Sequence, residues 1–207
     1  MRRMKEPEVR KAELLDAAQK LFTEKGYAKT TVTDILNVYG LSKGVFYYYF
    51  KSKEEVMDAI IERIIDAEVA NAKKIANISE MTMPQKLCAV LLGQGLSEEN
   101  VKNKEAATEQ FHQVENAEMH QKSIAQSIKR LAPIITEIIS QEKDISTEYL
   151  NETVELFIAA GQFIFDKSLF SWSEDELKRR VIALIGMIEK TLAVQAGYFE
   201  DIKNVIK

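Results

Sequence analysis

A single cysteine, Cys88, stands in a chain of 207 residues, so no disulfide can close within it. The plain expectation for Cys88 is a small buried apolar side chain. Glycine and proline are scarce, at 8 and 3. Both interrupt helices, so their scarcity suits a chain that is helical nearly throughout. No run of alternating apolar and polar residues bounded by turns marks a strand. No apolar run reaches the roughly 18 residues that a membrane-spanning helix needs. The charged start, MRRMKEPEVRKAELL, lacks the apolar core of a secretory signal. No membrane association and a cytoplasmic location are therefore expected. A Gly-rich phosphate loop, a nucleophile–His–acid set and a metal motif are also missing. An all-helical enzyme is thus only the runner-up reading, and no cofactor is expected.

What is present is a folded composition, 46% hydrophobic and 29% charged. The net charge of −4 hides an asymmetry. Residues 1–53 hold 11 Lys and Arg against 6 Asp and Glu, a balance of +5, which leaves −9 for the remainder. A basic end on an acidic body points to a first quarter that meets a polyanion.

Apolar spacing predicts an all-α fold. A first helix is expected over residues 7–25, with Pro7 in its first turn, Gly26 just past its end, and Leu14, Leu15, Ala18, Leu21 and Phe22 on one face. A second starts near Thr31, a capping residue, with Asp34 three positions on and Ile35, Val38 and Tyr39 inward. Gly40 then allows a tight turn, and Ser42 caps a third helix that ends near Phe50. Ser52 and Glu55 form a capping box for a fourth helix that runs to about Ile75. A fifth opens between Met81 and Pro84. Others are expected over 98–113, 117–141 (kinked or broken at Pro133), 147–170, and from the Ser173–Glu176 capping box past Leu192.

The informative stretch is TVTDILNVYGLSKGVFYYYFKSKEE, residues 31–55. Two short helices around a glycine turn make a helix-turn-helix, whose second helix enters the DNA major groove. At about 100° per residue, Lys43, Gly44, Tyr47 and Tyr48 share one side of that helix, and Phe46, Tyr49 and Phe50 the other. The first side carries a cation, bare backbone and two phenols, a poor core face. Lys43 can reach a phosphate or a base edge, and the phenols can donate to phosphates. Helix N-termini near Thr31 and Lys51 to Lys53 offer backbone amides to phosphates.

With these residues in hand, the segment 9–55 resembles the DNA-binding domain of the TetR family of transcription regulators. Phe22, Glu24 to Tyr27, Thr30, Thr31 and the run from Gly40 to Glu55 carry the resemblance. Tyr39 departs from it, since the family usually has alanine before the turn glycine. The resemblance implies phosphate contacts at Thr31, Val32 and Thr33, with Val32 acting only through its backbone. It implies base and groove contacts at Leu41, Ser42, Lys43, Gly44 and Val45, and phosphate contacts at Tyr47, Tyr48, Lys51 and Lys53. Tyr49 holds a position often occupied by histidine. Arg2 and Arg3 could follow the minor groove or remain a solvated tail.

The implied organisation is a DNA-binding domain over 1–53, extending into a linking helix to about 75, and an effector-binding and dimerisation domain over 54–207. The partners are double-stranded operator DNA, a small-molecule effector of unknown identity and a second copy of the chain. For the homodimer, the sequence offers two apolar stripes. One is Val154, Phe157, Ile158, Gly161, Ile164 and Phe165. The other is Leu177, Val181, Leu184, Ile185, Ile188 and Leu192. For the effector, the candidates are Phe111, His112, Asn116, His120, Phe157 and Phe163. A metal site from Glu109, His112 and His120 has the wrong spacing for zinc, so none is expected. An architectural DNA-binding module would leave some 150 residues without a task.

Overall fold

The computed structural model describes residues 6–91, 94–98, 100–102, 117–142, 145, 147–166 and 169–200. Its elements, in chain order, are α1 (Pro7–Lys25), α2 (Val32–Tyr39), α3 (Lys43–Tyr49), α4 (Lys53–Ala76), α5 (Met83–Leu91), α6 (Ala117–Ser140), α7 (Leu150–Phe165) and α8 (Glu174–Thr191). Among the described residues there is no strand, and no helix is long and apolar enough to cross a membrane. Residues 103–116, where most of a helix over 98–113 was expected, lie outside the described residues.

The chain divides into two units. The first holds residues up to Ile64 and the described part of 98–120; the second holds 65–97 and the chain from Gln121 on. In the first, α1 packs on α2 and α2 on α3. Leu14, Ala18 and Phe22 of α1 are buried with Ile35, Leu36, Phe46, Phe50 and Val56. The inner face of α2 is Ile35 with Leu36, whereas Val38 and Tyr39, expected inside, are exposed. An eight-residue helix is too short for its period to fix which of two adjacent apolar pairs turns inward.

Helix ends follow local chemistry. Thr31 and Asp34 make a complete capping box on α2, and Ser173 and Glu176 make one on α8. Gly40 ends α2 in the left-handed region at φ 60, a conformation that costs a residue with a Cβ about 1–2 kcal/mol. Ser42 stands in the N-cap position of α3 but makes no side-chain capping bond. The Ser52 hydroxyl accepts from the Glu55 amide at 3.2 Å, while the Glu55 carboxylate accepts from the Lys51 amide, one residue further back than a regular box. A signal the sequence reading passed over is Thr82 with Gln85, which bond reciprocally at the start of α5.

The core of the second unit joins Ala72 and Ala76 of α4, Leu87 and Cys88 of α5, four isoleucines of α6, and Val154, Ile158, Val181 and Ile185 of α7 and α8. Helix α6 runs through Pro133 without a break. The ring is exposed, and Ile134, Ile135, Ile138 and Ile139 beyond it are all buried. At about 1.5–3 kcal/mol each, their burial outweighs one lost backbone bond. Buried Lys86 donates to the Ala76 carbonyl at 2.9 Å and to Gln141 Oε1 at 3.1 Å, which places a cation at the negative end of α4. Past α8 the chain folds back. Buried Glu189 accepts from the Gly197 and Phe199 amides at 3.0 and 3.2 Å, and Phe199 is buried in the core.

Two differences from the sequence expectation matter for function. Val154, Ile158, Val181 and Leu192, expected at a subunit interface, are buried within the chain itself. The apolar residues of α7 and α8 that face outward are Leu156 (70% exposed), Phe163 (55%), Ile182 (44%) and Met187 (60%), with Phe165 exposed near the end of α7. Each helix therefore carries two apolar faces, one inward and one outward.

Candidate nucleic-acid interface

The site is built on α2, the Gly40 turn and α3. The buried side of α3 is Phe46, fully enclosed, with the Phe50 ring 6.0 Å away. That anchor turns the opposite side outward. Lys43 and Gly44 are exposed, and Tyr47 and Tyr48 are 59% and 75% exposed. Tyr47 sets its ring against buried Phe46 at 5.4 Å, yet most of both phenols and the lysine beside them stay open to solvent. Leu41 and Val45 are half-buried, Ser42 is exposed, and Tyr49 is half-buried with its ring edge on Tyr48 at 4.8 Å. A Cβ added at Gly44 would meet only Ser42 Oγ, at 3.9 Å, so packing within the chain does not demand a glycine there.

The start of α2 forms the second part. Thr31 Oγ1 donates to Asp34 Oδ2 at 2.6 Å, and the Thr31 amide donates to the same oxygen at 2.8 Å. The Asp34 amide donates back to Thr31 Oγ1, and the Ile35 amide to the Thr31 carbonyl. Among the described residues, the amides of Val32 and Thr33 are left without an acceptor, the situation that makes a helix N-terminus receptive to an anion. Asp34 would repel such an anion. However, Lys25 Nζ lies 2.7 Å from its carboxylate. Lys25, then the Thr31 hydroxyl and amide, hold the Asp34 carboxyl well below the usual carboxylate range. The result is a closed cap with its charge locally balanced. The partner Lys25 is a feature the sequence reading missed, because nine residues and a turn separate the two.

Lys51 is exposed between α3 and α4. Lys53, expected at a phosphate, is placed differently. Its Nζ donates to the carbonyls of Tyr27 and Thr30 at 2.8 and 3.0 Å and lies 4.1 Å from the centroid of the Tyr27 ring. Withdrawal from water lowers its pKa from the ordinary value, with the Glu54 carboxylate opposing. Burial, then Glu54, pushes the Tyr27 phenol above its ordinary value. Arg2 and Arg3 lie outside the described residues.

The proposed effector residues are only partly visible. Phe111, His112 and Asn116 lie outside the described residues, as does Glu109. His120 is half-buried on α6 and Phe157 half-buried on α7. Phe163 does not wall an interior cavity. It lies at the surface with its ring 4.8 Å from Phe170, which stacks on Trp172, which in turn lies under the Arg180 guanidinium. Among the described residues no cluster of His, Cys, Asp and Glu could hold a metal ion.

A buried aromatic anchor, an exposed cationic and phenolic helix face and an open N-terminus on the preceding helix define a helix-turn-helix nucleic-acid-binding unit, joined here to a second all-helical unit. The sequence model of bacterial regulatory proteins of the tetR family matches residues 14–60, and that of the tetracyclin repressor-like C-terminal domain matches residues 99–187. The chain belongs to the TetR family, a family of regulators and not of enzymes. Among curated relatives, the transcriptional repressor KstR2 of Rhodococcus jostii is 44% identical over 57 residues, 28% of each chain. KstR2 of Mycobacterium tuberculosis is 37% identical over 68 residues, 33% of this chain and 34% of its own. The chain thus matches about a third or less of the length of these relatives.

Solved structures match over nearly the whole chain. A putative TetR-family regulator from Syntrophomonas wolfei gives a TM-score of 0.65 at 17% identity, covering 92% of this chain and 99% of that one. SmeT, the repressor of the Stenotrophomonas maltophilia multidrug efflux pump SmeDEF, gives 0.62 at 21% identity, covering 90% and 91%. SmeT in complex with triclosan gives 0.60 at 21% identity, covering 91% and 93%. At these identities the structures establish the fold alone.

Proposed function

We propose that the protein is a sequence-specific DNA-binding transcription regulator, acting as a homodimer on a palindromic operator and released from it by a small-molecule effector. One observation carries the reading: the exposed face of Lys43, Gly44, Tyr47 and Tyr48 on a helix anchored behind by Phe46. In this arrangement α3 lies in the major groove. Lys43 and the bare backbone at Gly44 approach base edges, and Tyr47, Tyr48 and Lys51 meet phosphates. The amides of Val32 and Thr33 at the start of α2 take a further phosphate. The names of KstR2 and SmeT as repressors support repression as the sign of control.

The outward residues Leu156, Phe163, Ile182 and Met187 support the homodimer, since large apolar side chains left exposed on two packed helices suit an association surface. Two-fold symmetry then sets two copies of α3 on half-sites about one helical turn apart or somewhat more. The SmeT–triclosan complex supports a small organic effector, and the second unit is the part of this chain left to hold it. Effector binding shifts a population between DNA-competent and released states, which requires unequal affinity for the two. Helix α4, continuous from Lys53 to Ala76, crosses from the first unit to the second at Ile64–Ile65 and is one of the covalent connections between them.

Two sets of variants test the assignment. Lys51→Ala is expected to weaken binding to every duplex and to reduce the slope of log affinity against log salt by about 0.9 per subunit, because one fewer counterion is released. Tyr47→Phe removes a neutral donor, so it lowers affinity with the slope unchanged. Equal slopes in Lys51→Ala and wild type would remove Lys51 from the interface. Gly44→Ala is expected to leave the protein as stable as wild type, or up to about 1 kcal/mol more stable, since alanine is the better helix former and meets only Ser42. It should nonetheless lose DNA affinity, because the added methyl stands between backbone and groove. Full affinity in a titration with selected duplex would show that α3 does not approach DNA there.

A further inference from the structure

We infer that Lys53 is a positioning residue that fastens the two ends of the helix-turn-helix to each other, and that it is not a phosphate contact. It is the first residue of α4, directly after the α3 turn. Its two acceptors, the carbonyls of Tyr27 and Thr30, lie 26 and 23 positions earlier, directly before the Thr31 cap of α2. Residues 31–50, which hold α2, the Gly40 turn and α3, are therefore a segment whose ends meet at one ammonium group.

An ammonium has three N–H donors and no acceptor. Two are taken by the carbonyls, and the group lies 4.1 Å from the centroid of the Tyr27 ring. At most one donor is left for DNA. The seat is itself packed and hydrogen-bonded. Tyr27 is buried with its ring edge on Phe22 at 5.1 Å. Thr30 is 1% exposed, and its hydroxyl donates to the Gly26 and Leu21 carbonyls at 2.8 and 3.3 Å. Lys51, two residues earlier and exposed, has no such seat. Two lysines that look equivalent in the sequence thus divide the work. Lys51 presents charge outward, and Lys53 fixes the start of α2 relative to α3, so that two sets of phosphate contacts stay in register with the groove.

The consequence for DNA rests on the proposed function; the tie itself does not. Lys53→Met, Lys53→Arg and Lys51→Met would be compared in two measurements. The first is amide hydrogen exchange of the free protein. Lys53→Met is expected to speed exchange at Thr30, Asp34 and Ile35 by about tenfold or more, because local opening of the α1–α2 turn becomes easier. Lys51→Met should leave those amides as in wild type. The second is affinity for a mixed-sequence duplex about three helical turns long, measured against salt. Lys53→Arg keeps the charge, and a phosphate contact would accept it without loss. A seat shaped for a compact ammonium does not, so this variant should bind about fivefold or more weaker with the salt slope retained. Wild-type exchange in Lys53→Met, or wild-type affinity in Lys53→Arg, would overturn the inference. A wild-type protein that binds no duplex would sink the DNA-binding reading, and the exchange data would still decide the tie. If Lys53→Met does not fold, the Lys53→Arg comparison decides it.

Discussion

Replacing Phe46 with alanine is expected to cost the first unit about 3–5 kcal/mol, the range for deleting a fully buried phenylalanine. A unit of that size has only about 0.05–0.15 kcal/mol of stability per residue, so most or all of its margin would go. Phe46 is 0% exposed and belongs to a seven-residue helix in which it is the one buried residue. Helices this short have no stability of their own; burial of this ring, backed by Phe50 at the C-cap, holds α3 in place. The loss should be confined to the first unit. Trp172, the sole tryptophan, belongs to the second unit and stacks on Phe170 beneath Arg180. Denaturant titration of Phe46→Ala should therefore show helical signal lost early in circular dichroism while tryptophan fluorescence holds its wild-type transition. Tyr48→Ala, two residues along and 75% exposed, should change stability by no more than about 0.5 kcal/mol while still lowering DNA affinity. Coincident, unshifted transitions for Phe46→Ala would mean that α3 is not anchored as described.

Introducing glutamate at both Leu156 and Met187 is expected to produce monomers. Each side chain is more than half exposed on the free chain, so neither substitution disturbs the core around Val154 and Val181. In a two-fold interface every substitution appears twice, and each added carboxylate would have to be buried without a partner, at several kcal/mol. Sedimentation velocity reads the mass directly. Loss of the second α3 should also lower operator affinity by about 10²–10⁴, the usual gain from a second linked site. A dimer that persists in this double variant would place the interface on another surface.

These two results also show where the sequence was legible. The face division of α3 could be derived from angles alone, because Phe46 and Phe50 oppose a lysine, a glycine and tyrosines. The long helices α1, α4 and α8 could be placed by periodicity and caps, since many turns average over local exceptions. The apolar faces of α7 and α8 could not be sorted that way. Each helix is apolar on two sides, and periodicity identifies a stripe without saying whether its own chain or a second one covers it. Periodicity therefore picks out Val154 and Ile158, which the chain itself buries, and gives no sign of exposed Leu156. Lys53 failed for a related reason. Its fate depends on two backbone carbonyls more than twenty residues away, and carbonyls leave no trace in a sequence. Phe199 and Glu189 likewise depend on a chain reversal after α8 that no capping motif announces.

The central claim, that α3 of a symmetric dimer reads duplex DNA, is tested most directly by selecting bound fragments from the source organism's genomic DNA with purified protein at fixed salt. The account predicts an enriched palindrome near a promoter, with half-sites about one helical turn apart or somewhat more, and loss of that enrichment in Gly44→Ala. Binding that is weak, salt-sensitive and without any enriched sequence would contradict it.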